Sequence, residues 1–103
     1  MNMIIYFSPQ RSNETLVLEK QNNSLIINNI SYDFTQLPIG GTLLCEAIDC
    51  DYICDDVKNI NNVLHISVIL PHGPNPSNNI AFPEPILIEN NGIITLPGGV
   101  DNE

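Results

Sequence analysis

Three pairs of adjacent asparagines, each placed between two β-prone runs, constrain the fold of this chain more than any other feature. The pairs are Asn22-Asn23, Asn61-Asn62 and Asn90-Asn91. Runs rich in Ile, Leu and Val flank each pair, and such residues fit a pleated, half-buried surface. Because asparagine tolerates the left-handed backbone region at low cost, each pair predicts the tip of a β-hairpin. The three hairpins cover more than a third of the chain.

The remaining segments are short, acidic or rich in proline. A first strand is predicted over residues 3–7, ending at Ser8-Pro9. Residues 42–48 are the only plausible helix, because Thr42 can cap it, and it has at most two turns. Five of the fifteen residues from 71 to 85 are prolines, which fix φ and remove backbone donors, so this segment is predicted to be a semi-rigid loop.

These elements predict a mainly β protein with at most one short helix. The three hairpins would form an antiparallel meander, folded into a small sandwich or an open barrel. With 103 residues the chain has room for one core only. We therefore expect a single β domain over residues 1–97, followed by a disordered acidic tail over residues 98–103.

The net charge of −9 is the largest compositional deviation. Fifteen asparagines and sixteen isoleucines indicate A/T-rich codon usage, which should also raise the lysine count. Yet the basic residues are only Arg11, Lys20 and Lys58, so codon usage does not explain the acidity. A negative surface favours a basic partner protein or mimicry of nucleic acid, although solubility alone is the simpler explanation. Direct binding to nucleic acid is disfavoured, because it requires basic side chains.

The chain is expected in a cytoplasm. Its first residues have no basic region and only a short apolar run, unlike a signal peptide. No stretch approaches the roughly 20 apolar residues of a membrane span, so no membrane association is predicted. Three cysteines in a cytoplasmic chain do not predict disulfides.

A metal site is the functional alternative for the cysteines. Cys50 and Cys54 stand at a spacing that zinc sites use, and His65 or His72 could complete the ligands. However, the chain has no CxxC pair, and the acidic residues around Asp49 do not follow the calcium-loop pattern. We therefore interpret the cysteines as small buried side chains and the acidic residues as a solvated edge. No metal or cofactor is predicted.

No catalytic residue is predicted. The chain contains no nucleophile elbow, glycine-rich phosphate loop or metal-binding helix motif. His65 lies in a predicted strand and is expected to be packed or to face solvent. His72 begins the proline loop and is expected to bond to its backbone. The chain is therefore predicted to be non-enzymatic.

Two segments are candidates for binding a protein partner. One is the acidic segment, residues 46–56. The other is the proline loop, residues 71–85, whose rigidity lowers the entropy lost on binding. The candidate residues are Glu46, Asp49, Asp51, Asp55, Asp56, His72, Pro74, Asn75 and Pro76. Homo-oligomerisation through unpaired sheet edges is a further expectation.

Several strings of residues resemble a group of small proteins encoded in tailed bacteriophages and prophages. The strings are Met3-Ile-Ile-Tyr-Phe-Ser-Pro-Gln-Arg11, Ile30-Ser-Tyr-Asp-Phe34, Leu70-Pro-His-Gly-Pro-Asn-Pro-Ser77 and Ala81-Phe-Pro-Glu-Pro85. Genes of that group often lie near tail or tail-fibre genes. The resemblance implies an accessory phage protein without enzymatic activity, and it assigns no functional residues.

The expected function is therefore a non-enzymatic phage or prophage accessory protein that acts by protein–protein interaction. It would be tail- or virion-associated, and it would be found in the cytoplasm of the bacterial host or in the virion. The alternative is an acidic inhibitor of a host defence or nucleic-acid-binding protein, either similar to an anti-CRISPR protein or a decoy that mimics DNA. The expected partner is accordingly a phage structural protein or a basic host protein.

Overall fold

The computed structural model describes residues 2–11, 15–72 and 84–94, with the backbone alone for His72. This part of the chain is mainly β, as predicted, and its one helical element is a 3-10 turn, Cys45–Ala47. The strands are β1 Asn2–Arg11, β2 Leu18–Gln21, β3 Ser24–Ile27, β4 Ile30–Asp33, β5 Thr42–Leu43, β6 Val57–Ile60, β7 Val63–His72, β8 Ile86–Ile88 and β9 Gly92–Ile93. The predicted tail, residues 98–103, lies outside the described residues.

The strands form two open sheets. The first sheet has the order β5-β6-β7-β1-β8, and the second has the order β4-β3-β2-β9. Most neighbours are antiparallel, as the meander predicts, but β1 and β7 run parallel along their whole lengths. Parallel strands need a long crossover connection. Here that connection contains β2 to β6, so three of the four strands of the second sheet form within it.

The core lies between the two sheets. In β7, the side chains of Leu64, Ile66, Val68 and Leu70 alternate inward, as expected from a period of two. They belong to one buried cluster with apolar residues of both sheets, and Leu25 of β3 is fully buried in that cluster. The fold is therefore a small sandwich of two sheets, one of the two architectures expected.

In the described part of the chain, asparagine pairs form three hairpin turns, and two of these were predicted. Asn22 has a φ of 56° between β2 and β3, while Asn61 and Asn62 have φ of 54° and 69° between β6 and β7. The third turn, between β3 and β4, uses a pair that was not predicted: Asn28 and Asn29, with φ of 50° and 72°. Positive φ at both turn positions, as in the second and third of these turns, or at the first position alone, as at Asn22, is typical of the tight turns that match strand twist.

The hairpin predicted at Asn90-Asn91 is wrong. β8 pairs with β1 in the first sheet, whereas β9 pairs with β2 in the second, so this segment crosses between the sheets. Neither asparagine has a positive φ. Asn91 instead bonds to the first hairpin, because its Oδ1 accepts from the backbone N–H of Asn22 at 2.8 Å.

Three predicted boundaries also differ. β1 continues through Pro9 to Arg11, and Pro9 is tolerated because β8 reaches only Ile5, which leaves that side of β1 without a described partner strand. The predicted helix over residues 42–48 begins as β5, and only the 3-10 turn is helical. The proline loop begins later than predicted, since Pro71 belongs to β7, and residues 73–83 lie outside the described residues.

Asn62 is expected to be replaceable by glycine but not by alanine. Its left-handed conformation costs an L-residue with a Cβ about 1 kcal/mol, and glycine avoids this cost. Asn62→Ala should lower the free energy of unfolding by about that amount, whereas Asn62→Gly should not lower it. Urea unfolding followed by circular dichroism measures both. Equal unfolding midpoints for the two variants would contradict the observed turn.

Candidate functional site

The acidic segment, residues 46–56, connects β5 to β6 and ends in a bulge. Ile53 bridges to Val68, and β6 resumes pairing where Lys58 lies opposite His65. The four residues 54–57 therefore lie opposite only two residues of β7. Extra residues in one strand bend it and redirect side chains. This irregularity displaces Asp55 and Asp56 from the ladder.

Hydrogen bonds fix both carboxylates of the bulge. Asp55 Oδ1 accepts from the backbone N–H of Asp56 at 2.8 Å. Asp56 Oδ1 accepts from the backbone N–H of Cys45 at 2.9 Å, and this bond ties the bulge to the 3-10 turn. Burial, followed by the charges of Asp56, Glu46 and Asp55, raises the pKa of the Cys45 thiol. The three carboxylates therefore all raise the pKa of the same thiol.

A groove of about 300 Å³ lies beside the bulge on the outer face of the first sheet. We call it the outer groove. It is lined by Tyr6, Asp55, Asp56, Lys58, Ile60, His65 and Ser67. The face is outward because Lys58 and Ile60 alternate with the buried Val57 and Asn59 along β6.

An aromatic pair forms one wall of the outer groove. The Tyr6 hydroxyl and the Nδ1 of His65 are 2.9 Å apart, and the tyrosine donates when the neutral ring carries its proton on Nε2. The two rings also stack, with centroids 5.8 Å apart and planes 22° apart. The contact holds both rings in place on neighbouring strands. Tyr6 remains 36% exposed, so part of this aromatic surface is open to a ligand.

The other two predicted carboxylates lie elsewhere. Asp49 and Asp51 line a smaller pocket of about 170 Å³, formed where the acidic segment passes the β3–β4 hairpin. There the Tyr32 hydroxyl donates to the Asp49 carbonyl at 3.3 Å. The five predicted carboxylates therefore form two groups: Glu46, Asp55 and Asp56 around Cys45, and Asp49 and Asp51 around Tyr32.

Tyr32 is expected to ionise at a higher pH than an ordinary tyrosine. A hydrogen bond to Cys50, followed by burial and the charges of Cys50, Asp49 and Asp51, raises the pKa of Tyr32 to about 12. Because the unfolded tyrosine ionises near 10, the folded state holds this proton longer, and its stabilising effect falls as pH rises from about 10 to 12. An ultraviolet titration should show a phenolate component that ionises near pH 12. It should be absent in Tyr32→Phe and should shift to lower pH in Cys50→Ala. A late component that persists in Tyr32→Phe, or one that does not move in Cys50→Ala, would contradict the contact.

The proline-loop part of the predicted site cannot be placed. Pro74, Asn75 and Pro76 lie outside the described residues, as does the side chain of His72. Conversely, the sequence interpretation missed Tyr6, Lys58 and Ile60 as site residues. The alternation of β1 places Tyr6 on the outward face, but only the parallel pairing with β7 brings it to His65.

The cysteines are less buried than expected. Cys54 is exposed, while Cys45 and Cys50 are half-buried, and all three thiols are free. Cys54 faces outward because it follows the buried Ile53 in an extended segment, and its backbone N–H bonds to the Ser67 carbonyl at 3.0 Å. Although the residue is exposed, partial desolvation of its sulfur raises the pKa of the Cys54 thiol. A backbone hydrogen bond opposes this shift, while the nearby Asp55 and Cys45 add to it, and the net rise lowers the thiolate fraction that reacts. Among residues 2–11, 15–72 and 84–94, no cluster of three His, Cys, Asp or Glu side chains could hold a metal ion.

One of the three basic side chains is buried. Lys20 is only 3% exposed, and its Nζ donates to the Asn91 Oδ1 at 3.3 Å. Arg11 and Lys58 are exposed. The accessible surface is therefore more acidic than the sequence alone indicates, and Lys58 is the basic residue nearest the bulge.

Comparisons with protein-family models, curated proteins and solved structures found no match to this chain. The 3-10 turn is three residues long, and none of the described helices could cross a membrane.

Proposed function

We propose that this chain is a non-enzymatic protein that acts by binding a basic partner protein through the acidic segment. The observation that supports this most directly is the placement of five carboxylates on one connection, where Glu46, Asp49, Asp51 and Asp55 are exposed and Asp56 is half-buried. Two of them are held by backbone N–H groups. Complementary charge steers association and selects partners.

The chemistry of the outer groove favours binding over catalysis. Nucleophilic catalysis needs a nucleophile that a positioned base activates. Here the Nδ1 of His65 is occupied by Tyr6, and the thiols of Cys45 and Cys54, which do not line the groove, have raised pKa values. A raised thiol pKa is the opposite of what a reactive cysteine requires.

The proposed setting is that of a phage or prophage accessory protein that binds a tail or virion component. This setting rests on the resemblance of the strings that include residues 3–11 and 70–77. The second candidate is an inhibitor of a basic host defence or nucleic-acid-binding protein. The fixed carboxylates of Asp55 and Asp56 favour that candidate, because ordered acidic groups can occupy a groove built for phosphates.

Self-association through sheet edges stays a prediction. The described edge strands are short, with two residues in β5, three in β8, two in β9 and four in β4. Short edges and like charge both oppose edge-to-edge pairing. Sedimentation at low and high salt tests it, because screening should promote any dimer that charge suppresses.

Capture of partners from infected bacterial cells tests the proposed function. The wild-type chain would be compared with a variant that carries Glu46→Gln and Asn at positions 49, 51, 55 and 56. A control variant, Glu84→Gln with Glu89→Gln, removes exposed charges elsewhere. We expect a basic protein bound by the wild type and the control but lost from the acidic-segment variant. A tail or fibre subunit supports the first candidate, and a host nuclease or guide complex supports the second. A partner retained equally by all three chains would contradict the proposal.

A further inference from the structure

We infer that the outer groove is an arginine-binding site, in which a guanidinium group of the basic partner stacks on the Tyr6–His65 pair and bonds to the carboxylates of the bulge. This inference rests on the proposed function and deepens it. It specifies arginine as the side chain that is bound, and it specifies Asp55 and Asp56, rather than Asp49 and Asp51, as the carboxylates that bind it.

The aromatic wall supplies a flat surface for the cation. The Tyr6–His65 hydrogen bond and the stacking of the two rings fix this surface before a ligand arrives. A guanidinium placed over the face of such a ring is attracted by the negative charge of its π-system. A preformed surface also reduces the entropy lost on binding.

The bulge supplies carboxylate hydrogen-bond acceptors beside the aromatic wall. Tyr6 lies opposite Ser67, and the bulge that carries Asp55 and Asp56 lies opposite Ile66 and Ser67. The carboxylates therefore border the tyrosine end of the groove. Backbone N–H groups hold one oxygen of each carboxylate, and each group has further lone pairs for a ligand.

Arginine fits this combination better than lysine. The guanidinium is planar, stacks on aromatic rings and offers several N–H donors in a fixed fork. An ammonium is a compact point charge that needs only the carboxylates. The apolar side of the groove, where Ile60 is 46% exposed, can contact the methylene chain of either residue. The aromatic pair is therefore the source of the expected selectivity.

The positive charge of Lys58 opposes binding of the proposed ligand. It lies directly opposite His65 and lines the same groove, so its ammonium repels an incoming cation. Removal of this charge should strengthen binding. Arg11, which is exposed at the far end of β1 opposite His72, provides a control in which the same charge is removed away from the groove.

The test uses two blocked peptides, Ac-Gly-Arg-Gly-Arg-Gly-NH2 and its lysine counterpart, titrated into the full ¹⁵N-labelled chain. The wild type should bind the arginine peptide at least about threefold more tightly, with shifts around Tyr6 and His65. Asp55→Asn with Asp56→Asn should weaken binding by about fivefold to tenfold. The matched pair Asp49→Asn with Asp51→Asn should weaken it by less than about threefold.

Three further variants separate the contributions. Tyr6→Leu should abolish the preference for arginine while it leaves lysine binding unchanged, and Lys58→Met should strengthen binding more than Arg11→Gln does. Asparagine at positions 55 and 56 keeps the acceptors that the backbone uses, and urea unfolding checks each variant. Equal affinity for both peptides, or equal losses from the two aspartate pairs, would overturn the inference. If the inference fails but capture of the partner still depends on the acidic segment, the proposed function stands. If capture does not depend on the acidic segment, the inference and the proposed function are both overturned.

Discussion

Asn59→Asp is expected to destabilise the fold by on the order of 3–5 kcal/mol at neutral pH, although it exchanges one amide for a carboxylate of the same size. Asn59 is only 1% exposed, and its Nδ2 donates to the Leu37 carbonyl at 2.9 Å. Its backbone also bonds to Gly40 and Gly41, so it clamps the turn before β5. Aspartate would lose the side-chain donor and bury a charge, and Oδ1 already has no partner among the described residues.

The loss should depend on pH. In the variant the folded-state pKa of the new carboxyl is raised above its unfolded value of about 3.9, because burial disfavours the charge. The destabilisation is therefore complete above the folded pKa and is relieved as pH falls through it towards 3.9. Urea unfolding of wild type and variant at pH 7 and pH 5 measures this change.

Asn61→Asp provides the control for the buried aspartate. Asn61 is exposed in the adjacent turn, and aspartate tolerates its positive φ, so the free energy of unfolding should change by less than about 0.5 kcal/mol. If Asn59→Asp were as stable as Asn61→Asp at pH 7, the turn before β5 would not be clamped as described.

Ile66→Ala is expected to cost about 2–5 kcal/mol. Ile66 is fully buried on the inner face of β7, which lies between β6 and β1 at the centre of the first sheet. The substitution removes buried methyl groups and leaves a cavity between the two sheets. Because small domains have only about 5–15 kcal/mol of stability, this loss is a large share of the total, and the unfolding midpoint should fall clearly.

Ile60→Ala is the matched control for the core substitution. Ile60 lies on the outer face of β6 and is about half exposed, so its replacement should cost less than about 1 kcal/mol. Denaturant unfolding followed by circular dichroism compares the two variants. Similar losses from both would contradict the assignment of inner and outer faces.

The sequence could predict the strands and two of the hairpin turns because those signals are local. Asn61 and Asn62 adopt the backbone that their residue type favours, next to strands with clear alternation. The pair at Asn90-Asn91 has the same residues, yet β8 and β9 pair with different sheets, and the Asn91 side chain bonds to Asn22. Tertiary pairing, which no local pattern encodes, decides between these outcomes.

The site was predictable only in part. The acidic residues were identifiable from composition, but their division into two groups follows from the path of the acidic segment past Tyr32 and back to β7. The outer groove depends on the contact of Tyr6 with His65, which are 59 residues apart in the chain. That contact requires the parallel pairing of β1 and β7, and alternation shows which face a residue occupies but not which strand lies beside it.

The salt dependence of partner affinity tests the central claim most directly. The captured partner would be titrated with the wild type and with the acidic-segment variant between about 50 and 200 mM salt. We predict that the wild type binds more tightly and loses affinity steeply as salt rises, whereas the variant binds weakly with little salt dependence. Equal affinities with the same salt dependence would contradict the claim that the acidic segment binds the partner.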